Sequence, residues 1–375
     1  MNAITIAGQE VGNGKRCFVV AEAGVNHNGA LDLALRLVDV AADAGADAVK
    51  FQTFKAERVI AENAPKAAYQ TRTTGAGESQ LDMVRKLELK REFHRPIAER
   101  CRARGILFMS TAFDEESARF LVDEIKVPVL KIPSGEVTNA PLLLTLARFD
   151  LPMILSTGMS TLAEVEAALG VLAFGLTRRQ DPPSAAAFAD AYASAGGRRA
   201  LADKVVLLHC TSEYPAAFDE TNLRAMDAMR EAFGLPVGLS DHTPGIAVPI
   251  AAVARGAVTV EKHFTLDREL PGPDHKASLE PGELAAMVAG IRAAEAALGR
   301  PVKEPTAAEL RNRPVVRRGL VAARAIVKGE TFTADNVAPK RPARGLSPMR
   351  YWDLIGRSAR RAYAPDEPIL EKDEL

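Results

Sequence analysis

Eight short apolar runs, most of them rich in Val, Ile or Leu, recur along this chain: Phe18–Gly24, Ala48–Phe54, Gly105–Thr111, Val127–Ser134, Pro152–Gly158, Val205–Ser212, Val237–Asp241 and Ala257–Phe264. Between them lie stretches of helical periodicity. Gly29–Ala44 puts Leu31, Ala34, Leu35, Val38 and Ala41 on one face, and Gln80–Arg104, Glu115–Ile125, Thr161–Ala173, Asp219–Phe233, Gly245–Arg255 and Pro281–Leu298 read similarly. Near-continuous apolar strands alternating with helices predict a parallel sheet covered on both faces. Eight such units predict an α/β chain closed into a (β/α)8 TIM barrel. The competing arrangement is a doubly wound open sheet, but no GxGxxG opens a helix here, so a dinucleotide site lacks support. Ala185–Ala202 is an Ala-rich excursion before the sixth strand, read as an elaborated helix or surface insertion without chemistry.

The remaining residues divide the chain. With 375 residues, one large domain or a large one plus a small one is expected. The barrel takes 1–298. Residues 299–314, GRPVKEPTAAELRNRP, are polar with three prolines and read as a linker. In 315–375 the run Arg324–Phe332 resembles Arg361–Ile369, a weak repeat that suggests two copies of a β-turn-β unit in a small, mostly β domain.

Composition removes several classes of function. Lys+Arg and Asp+Glu are both 48, so the net charge is zero and bulk nucleic-acid binding is not expected. No apolar run approaches the roughly 18 residues of a membrane span, so no membrane partner is expected. The segment MNAITIAGQEVGNGKR lacks a signal-peptide apolar core. Cys17, Cys101 and Cys210 are scattered without CxxC spacing, which fits reduced thiols and a cytoplasmic location. Lys372–Leu375 spells an endoplasmic-reticulum retention signal, read as coincidence because no entry signal accompanies it.

The chemistry concentrates where the strands end. Residues 237–275 form a strand–helix–strand unit whose strands finish in Ser240-Asp241-His242 and Glu261-Lys262-His263. A short crossover makes such strands parallel, so both histidines emerge at the carboxyl rim, where α/β folds place ligands. Either histidine alone is better explained by a turn or a core. As a pair, with Asp274 and His275 in the following Pro-Gly-Pro loop, they are read as holding a divalent metal whose shell water or substrate completes. The other strand ends bring Glu22, then Lys50 and Gln52 on one face, Ser110-Thr111, Lys131 with Ser134 and Glu136, Ser156, and Ser212-Glu213-Tyr214. Each Ser or Thr singly fits a helix N-cap, and each lysine singly fits an ion pair with Glu22 or Glu136. Converging on one rim, two lysines and several hydroxyls suit a small, highly charged anion such as a phosphorylated acid.

At these residues the chain resembles a known family. AEAGVNHNG, KFQTF, STAFDEES, KIPSGE, ILSTGMS, HCTSEYP, GLSDHT, EKHFTLD and PGPDH, in that order, are similar to the bacterial sialic acid synthase family. GLVAARAIVKGE and KRPARG resemble its C-terminal antifreeze-like domain, the SAF domain of β-clip type. The resemblance implies a metal-dependent homodimer, usually with manganese (magnesium or cobalt being alternatives), that condenses phosphoenolpyruvate with an N-acylated aminosugar. By the same resemblance His242 and His263 hold the metal. Lys50, Thr111, Lys131, Ser134, Ser156 and Ser240 contact phosphoenolpyruvate. Gln52, Tyr214 and Asp274 form the sugar pocket, and Arg341 reaches it from the other subunit. Glu136 handles the water and aldehyde protons, with Glu22 and Lys131 counted beside it as catalytic.

In several sialic acid synthases Asn-Ile-Tyr-Pro stands where this chain has Ser212-Glu213-Tyr214-Pro215, which puts Ser212 in place of an Asn contact to phosphate. Pro65–Gln70 looks closer to a branch that includes legionaminic acid synthases. The expected reaction is N-acetylmannosamine to N-acetylneuraminate, the alternative N,N'-diacetyllegionaminate from 2,4-diacetamido-2,4,6-trideoxymannose. A metal-dependent aldolase or isomerase would not need so many anion contacts. An ice- or carbohydrate-binding tail would need a repetitive Thr face, whereas 315–375 holds only Thr331 and Thr333.

Overall fold

The computed structural model describes every residue except 1, 2, 76, 179 and 375. It divides into two compact units, Met1–Gly299 and Arg300–Leu375.

The first unit opens with a hairpin, β1 (Ala3–Ile6) antiparallel to β2 (Gln9–Gly12), with Ile4 opposite Val11. Its two turn residues, Ala7 and Gly8, both have positive φ, as the tight hairpin turn that matches strand twist requires. Eight parallel strands follow: β3 (Phe18–Gly24), β4 (Ala48–Thr53), β5 (Leu107–Ala112), β6 (Leu130–Ile132), β7 (Met153–Ser156), β8 (Val205–Cys210), β9 (Val237–Asp241) and β10 (Thr259–His263). Each pairs with its successor, and β10 returns to β3, with Glu261 beside Val20 and His263 beside Glu22. This is the closed (β/α)8 barrel that the eight apolar runs predict. Helices cover it, packing Leu37, Val38, Ile97, Leu142, Leu146, Leu169 and Ile291 against the outward side chains of the strands.

The inward side chains near the strand starts form a separate apolar cluster. Phe18, Val20, Ala48, Met109, Ile154, Val206 and Leu208 meet Ile4, Ile6 and Val11 of the hairpin there. The hairpin thus stoppers the amino-terminal end of the barrel.

Several connections differ from the periodicity reading. Gln80–Arg104 is two helices, Gln80–Arg85 and Arg91–Arg104. Glu88 sits in the break, where its carboxylate accepts hydrogen bonds from Lys55 Nζ and the Ala56 amide, both at 2.8 Å. With the short helices Ala56–Val59 and Ala68–Thr74, this makes an elaborate excursion between β4 and β5. Ala185–Ala202 is a pair of helices, Ala185–Ala193 and Ala195–Lys204. Gly170 of the preceding helix lets the pair approach, since a Cβ there would lie 3.0 Å from the Phe188 carbonyl oxygen.

The second unit begins in the stretch read as linker. A helix, Ala307–Val316, starts in that stretch and runs two residues past it, opened by a reciprocal cap between Thr306 and Glu309. Beyond it β11 (Gly319–Ala322) pairs antiparallel with β12 (Val337–Lys340). The two repeat copies bond to each other: Ile326 and Tyr363 exchange amide–carbonyl bonds of 3.0 and 2.9 Å. Leu320, Ile326, Phe332, Val337, Tyr363 and Ile369 make the core. In the Lys372–Leu375 tail, the buried Glu374 accepts a hydrogen bond from Tyr363 Oη at 2.5 Å, and Leu375 lies outside the described residues. Among the described residues no helix is long and apolar enough to cross a membrane.

Candidate active site

Strand alternation that carries Phe18 and Val20 into the apolar layer carries Glu22 inward one step later. The same step brings in Lys50 after Ala48, Thr111 after Met109, Lys131 after Val129 and Ser156 after Ile154. On β9 and β10 it brings in Ser240, Glu261 and His263. Registers place Glu22 beside Lys50, Thr111 beside Lys131, and Ser240 beside Glu261, so these groups form a ring around the inside of the barrel. Above the ring a cavity of about 460 Å³ opens toward the carboxyl ends of the strands, a size suited to small ligands.

The ring is charged, buried and nearly balanced. Lys50 Nζ lies 2.6 Å from Glu22 Oε2 and 3.7 Å from Glu261 Oε1, and Lys131 Nζ lies 3.6 Å from the same Glu261 oxygen. Both lysine side chains are only 3% exposed. Lys50 donates to Thr111 Oγ1 at 3.0 Å, and Lys131 donates to Ser156 Oγ at 2.8 Å. Gln52 and Ser240 donate to Glu22 and Glu261 at 3.3 Å. Burial pushes the Glu22 carboxyl up to about 7, against the pull of Lys50. Burial also lowers the Lys131 ammonium from its ordinary value, with Glu261 opposing. The Glu261 carboxyl is held low because Lys131 and Lys50 outweigh its desolvation. Ammonium groups held this way can accept a multiply charged anion with little rearrangement.

At the lip of the cavity, His242 and His263 stand with ring centroids 5.4 Å apart. His242 Nδ1 donates to the Thr211 carbonyl at 2.6 Å, so in the neutral ring Nε2 carries the lone pair, although, against the effect of burial, Cys210 and this hydrogen bond push the imidazole pKa up. His263 Nδ1 is buried without a hydrogen-bond partner, 3.9 Å from Asp274 Oδ2. Burial holds His263 well below the usual imidazole range and raises the Asp274 carboxyl to about 6. These two imidazoles are the side chains that could share a metal. Among the described residues no set of three or more His, Cys, Asp or Glu side chains is placed to hold one. Tyr214 stacks on His242 at 4.0 Å, and Tyr69 lies tilted by 32° against Tyr214 with centroids 5.1 Å apart. The exposed pair Arg72–Glu213, at 2.7 Å, ties the same two segments together.

Of the residues singled out from sequence, Glu22, Lys50, Gln52, Thr111, Lys131, Ser134, Ser156, Ser212, Tyr214, Ser240, His242, His263 and Asp274 all line this one cavity. Glu136 does not. It lies in the turn Ser134–Glu136, and its carboxylate points to Asn139 Nδ2, 2.6 Å away. The lysines accordingly pair with Glu22 and Glu261, not with Glu136. Arg341 belongs to the second unit, directly after β12.

Sequence reasoning assigned no role to Glu261, although it stands two residues before His263 on one strand and so shares its face. It also missed Cys210, whose Sγ lies 4.0 Å from His242 Nδ1. Tyr69 gave no strand-end signal, because an excursion outside the barrel pattern delivers it.

The model of the NeuB family matches residues 37–303, and that of the SAF domain matches 317–373. The N,N'-diacetyllegionaminic acid synthase of Campylobacter jejuni is 47% identical over 357 residues, covering 95% of this chain and 100% of that protein. The synthase of the same name from Legionella pneumophila is 44% identical over 347 residues, covering 92% and 91%. The crystal structure of the N-acetylneuraminic acid (sialic acid) synthetase from Leptospira borgpetersenii superposes with a TM-score of 0.68 at 34% identity, covering 83% of this chain and 94% of that one. On the family match and these relatives, the chain belongs to the NeuB family.

Proposed function

We propose that this chain is a cytoplasmic synthase of nine-carbon sugar acids that condenses phosphoenolpyruvate with an open-chain N-acylated aminosugar. The sugar is 2,4-diacetamido-2,4,6-trideoxymannose and the product N,N'-diacetyllegionaminic acid. The observation that supports this most is one cavity holding two buried lysines at its floor and two neighbouring imidazoles at its lip. Two relatives, at 47% and 44% identity, both carry the legionaminic name, which favours the diacetamido sugar over the N-acetylmannosamine expected first.

The donor set fits a divalent ion. His242 Nε2 and the unpartnered His263 Nδ1 supply imidazole nitrogens, and two protein ligands leave positions for water or substrate oxygen. When bound there, manganese (or magnesium or cobalt) would supply Lewis-acid polarisation of the sugar carbonyl.

The chain's own residues then divide the work. Lys50 and Lys131 hold the phosphate and carboxylate of phosphoenolpyruvate, with Thr111 and Ser156 keeping the ammonium groups in place. Ser134, Ser212 and Ser240 offer further hydroxyls at the same end. Gln52, Tyr214 and Asp274 orient the sugar. Carbon three of phosphoenolpyruvate attacks the aldehyde carbon, a C–C bond forms, and the aldehyde oxygen takes a proton. Positive charge develops at carbon two. Water adds there and gives up a proton, and the C–O bond to phosphate breaks as the ketone forms. Glu22 sits at the floor and is pushed up to about 7, so it suits proton exchange at neutral pH better than Glu136, which faces Asn139. Glu261 balances the lysines.

We further propose a homodimer in which Arg341 of one chain serves the sugar pocket of the other. Its guanidinium fork suits a sugar acyl carbonyl and hydroxyls. Mixing inactive His242→Ala chains with inactive Arg341→Ala chains should regenerate activity in mixed dimers. Sites that stay dead after demonstrated subunit exchange would remove this role. The synthase reading itself is tested by phosphate release from phosphoenolpyruvate with Mn2+ and either sugar. Faster release with the diacetamido sugar is expected, and no sugar-dependent release would refute the reading.

A further inference from the structure

The cavity has two chemically distinct ends. Its floor is the charged ring. Its far wall, set beyond the ring by residues that follow the ends of β3, β4 and β5 and by the excursion between β4 and β5, is apolar: Val25, Phe54, Met83, Val84, Leu87 and Phe113. Val25, Phe54, Met83 and Leu87 are each less than 9% exposed, and Phe54 meets Phe113 edge-on at 5.8 Å. Val84 and Phe113 pack against Val25, Phe54 and Leu87. The lysines of the cavity lining are Lys50 and Lys131, both at the floor, and no arginine is among the described lining residues. Next to this wall Gln80 Nε2 donates to Gln70 Oε1 at 3.1 Å, leaving amide donors and acceptors at its edge.

We propose that this wall reads carbon six of the sugar and selects a methyl group there over a hydroxymethyl or phosphorylated one. The inference rests on the synthase reading above. That reading sets the aldehyde carbon between the imidazoles and the floor, so an extended sugar directs its other end toward the far wall. A carbon-six methyl gains apolar burial against Phe54, Met83, Val84 and Leu87. A hydroxyl at that carbon would lose water without finding a partner on the wall, and a phosphate would find no cation among this chain's wall residues. The acetamido groups need hydrogen bonds, and Gln70 and Gln80 at the edge can give them. One methyl or hydroxyl in an apolar pocket is worth about 10- to 200-fold in discrimination.

The test holds the two acetamido groups constant and varies only carbon six. Using phosphate release with Mn2+, kcat/KM is compared for 2,4-diacetamido-2,4,6-trideoxymannose and its 6-hydroxy counterpart. The wild type should favour the 6-deoxy sugar by about 10- to 100-fold. Val84→Thr, which keeps the side-chain shape, and Met83→Gln should each narrow that ratio by at least about 5-fold, the scale of one hydroxyl on an apolar surface. The KM for phosphoenolpyruvate in each variant reports on the floor. A wild-type ratio near one overturns the inference without needing any variant. A large wild-type ratio that both variants retain also overturns it, because something other than this wall then reads carbon six. If neither diacetamido sugar releases phosphate, the synthase reading fails instead. If both are used equally and faster than N-acetylmannosamine, that reading stands and this inference falls.

Discussion

Two layers inside one barrel are built by one closed sheet and the same alternation, yet they hold opposite chemistry. The lower layer is Phe18, Val20, Ala48, Met109, Ile154, Val206 and Leu208, sealed by Ile4 and Ile6 of the hairpin. The upper layer, one alternation step further along, is Glu22, Lys50, Thr111, Lys131, Ser156, Ser240 and Glu261. Fully burying a large apolar side chain stabilises by about 1.5–3 kcal/mol. Burying a charge costs several kcal/mol, which pairing only offsets. The lower layer therefore holds the barrel together, and the upper layer persists for what it binds. The difference teaches that position along the strand, not residue spacing, separates scaffold from site.

The largest test of this division is at the lip. Replacing His242 or His263 by Ala should lower kcat/KM by at least about 1,000-fold, the scale expected if the proposed metal supplies several kcal/mol as a Lewis acid, while the thermal midpoint moves little. Steady-state phosphate release and a thermal melt on the same preparations check this. Full activity in both variants after chelation would remove the metal from the site.

Next comes the upper layer. Lys131→Ala removes a buried charge that lines the cavity and leaves Glu261 with one partner fewer. A loss of about 100-fold or more in kcat/KM for phosphoenolpyruvate is expected, with the sugar KM changing far less. The reverse pattern in saturation kinetics would exchange the two substrate positions.

The lower layer should answer in the other currency. Phe18→Ala should cost about 3–5 kcal/mol in urea denaturation and leave kcat/KM per folded molecule near the wild type. A variant with normal stability and lost activity would break the comparison, since the two layers would then not be separable.

The smallest effect concerns a polar group buried outside either layer. His94 Nε2 accepts from Thr53 Oγ1 at 2.8 Å, and Nδ1 faces the Lys90 carbonyl at 3.1 Å. Burial lowers its pKa from 6.5 to about 4. Between these values the unfolded chain binds the extra proton, so this contribution is complete above 6.5 and is lost as pH falls toward 4. By about pH 5 the loss should reach about 2 kcal/mol, read as a lower urea midpoint than at neutral pH. His94→Gln should flatten that slope, and an unchanged slope would show that His94 is not what senses acid.

The two layers also explain what could be read before the fold was known. The barrel was legible because each strand is a short apolar run between helical repeats, a one-dimensional pattern that needs no partner to be recognised. Most of the site was legible for a related reason: Glu22, Lys50, Lys131, Ser156, Ser240, His242 and His263 are polar residues at the ends of those runs. The hairpin was not read as a hairpin, because four-residue strands carry too little periodicity. The apolar wall was not read either, because Met83, Val84 and Leu87 look like any amphipathic segment until the excursion is folded against Phe54.

The sequence alone determined the barrel, the carboxyl-end rim and the residue types gathered there, because alternation and helical periodicity are local properties of the chain. Only the tertiary structure decided which charges meet. Lys50 and Lys131 were expected beside Glu22 or Glu136, and closure of β10 onto β3 brings Glu261 between the lysines. The neighbouring turn meanwhile carries the Glu136 carboxylate to Asn139. Pairing across a barrel depends on register and closure between strands more than 100 residues apart, a distance set by three-dimensional packing and invisible to local spacing.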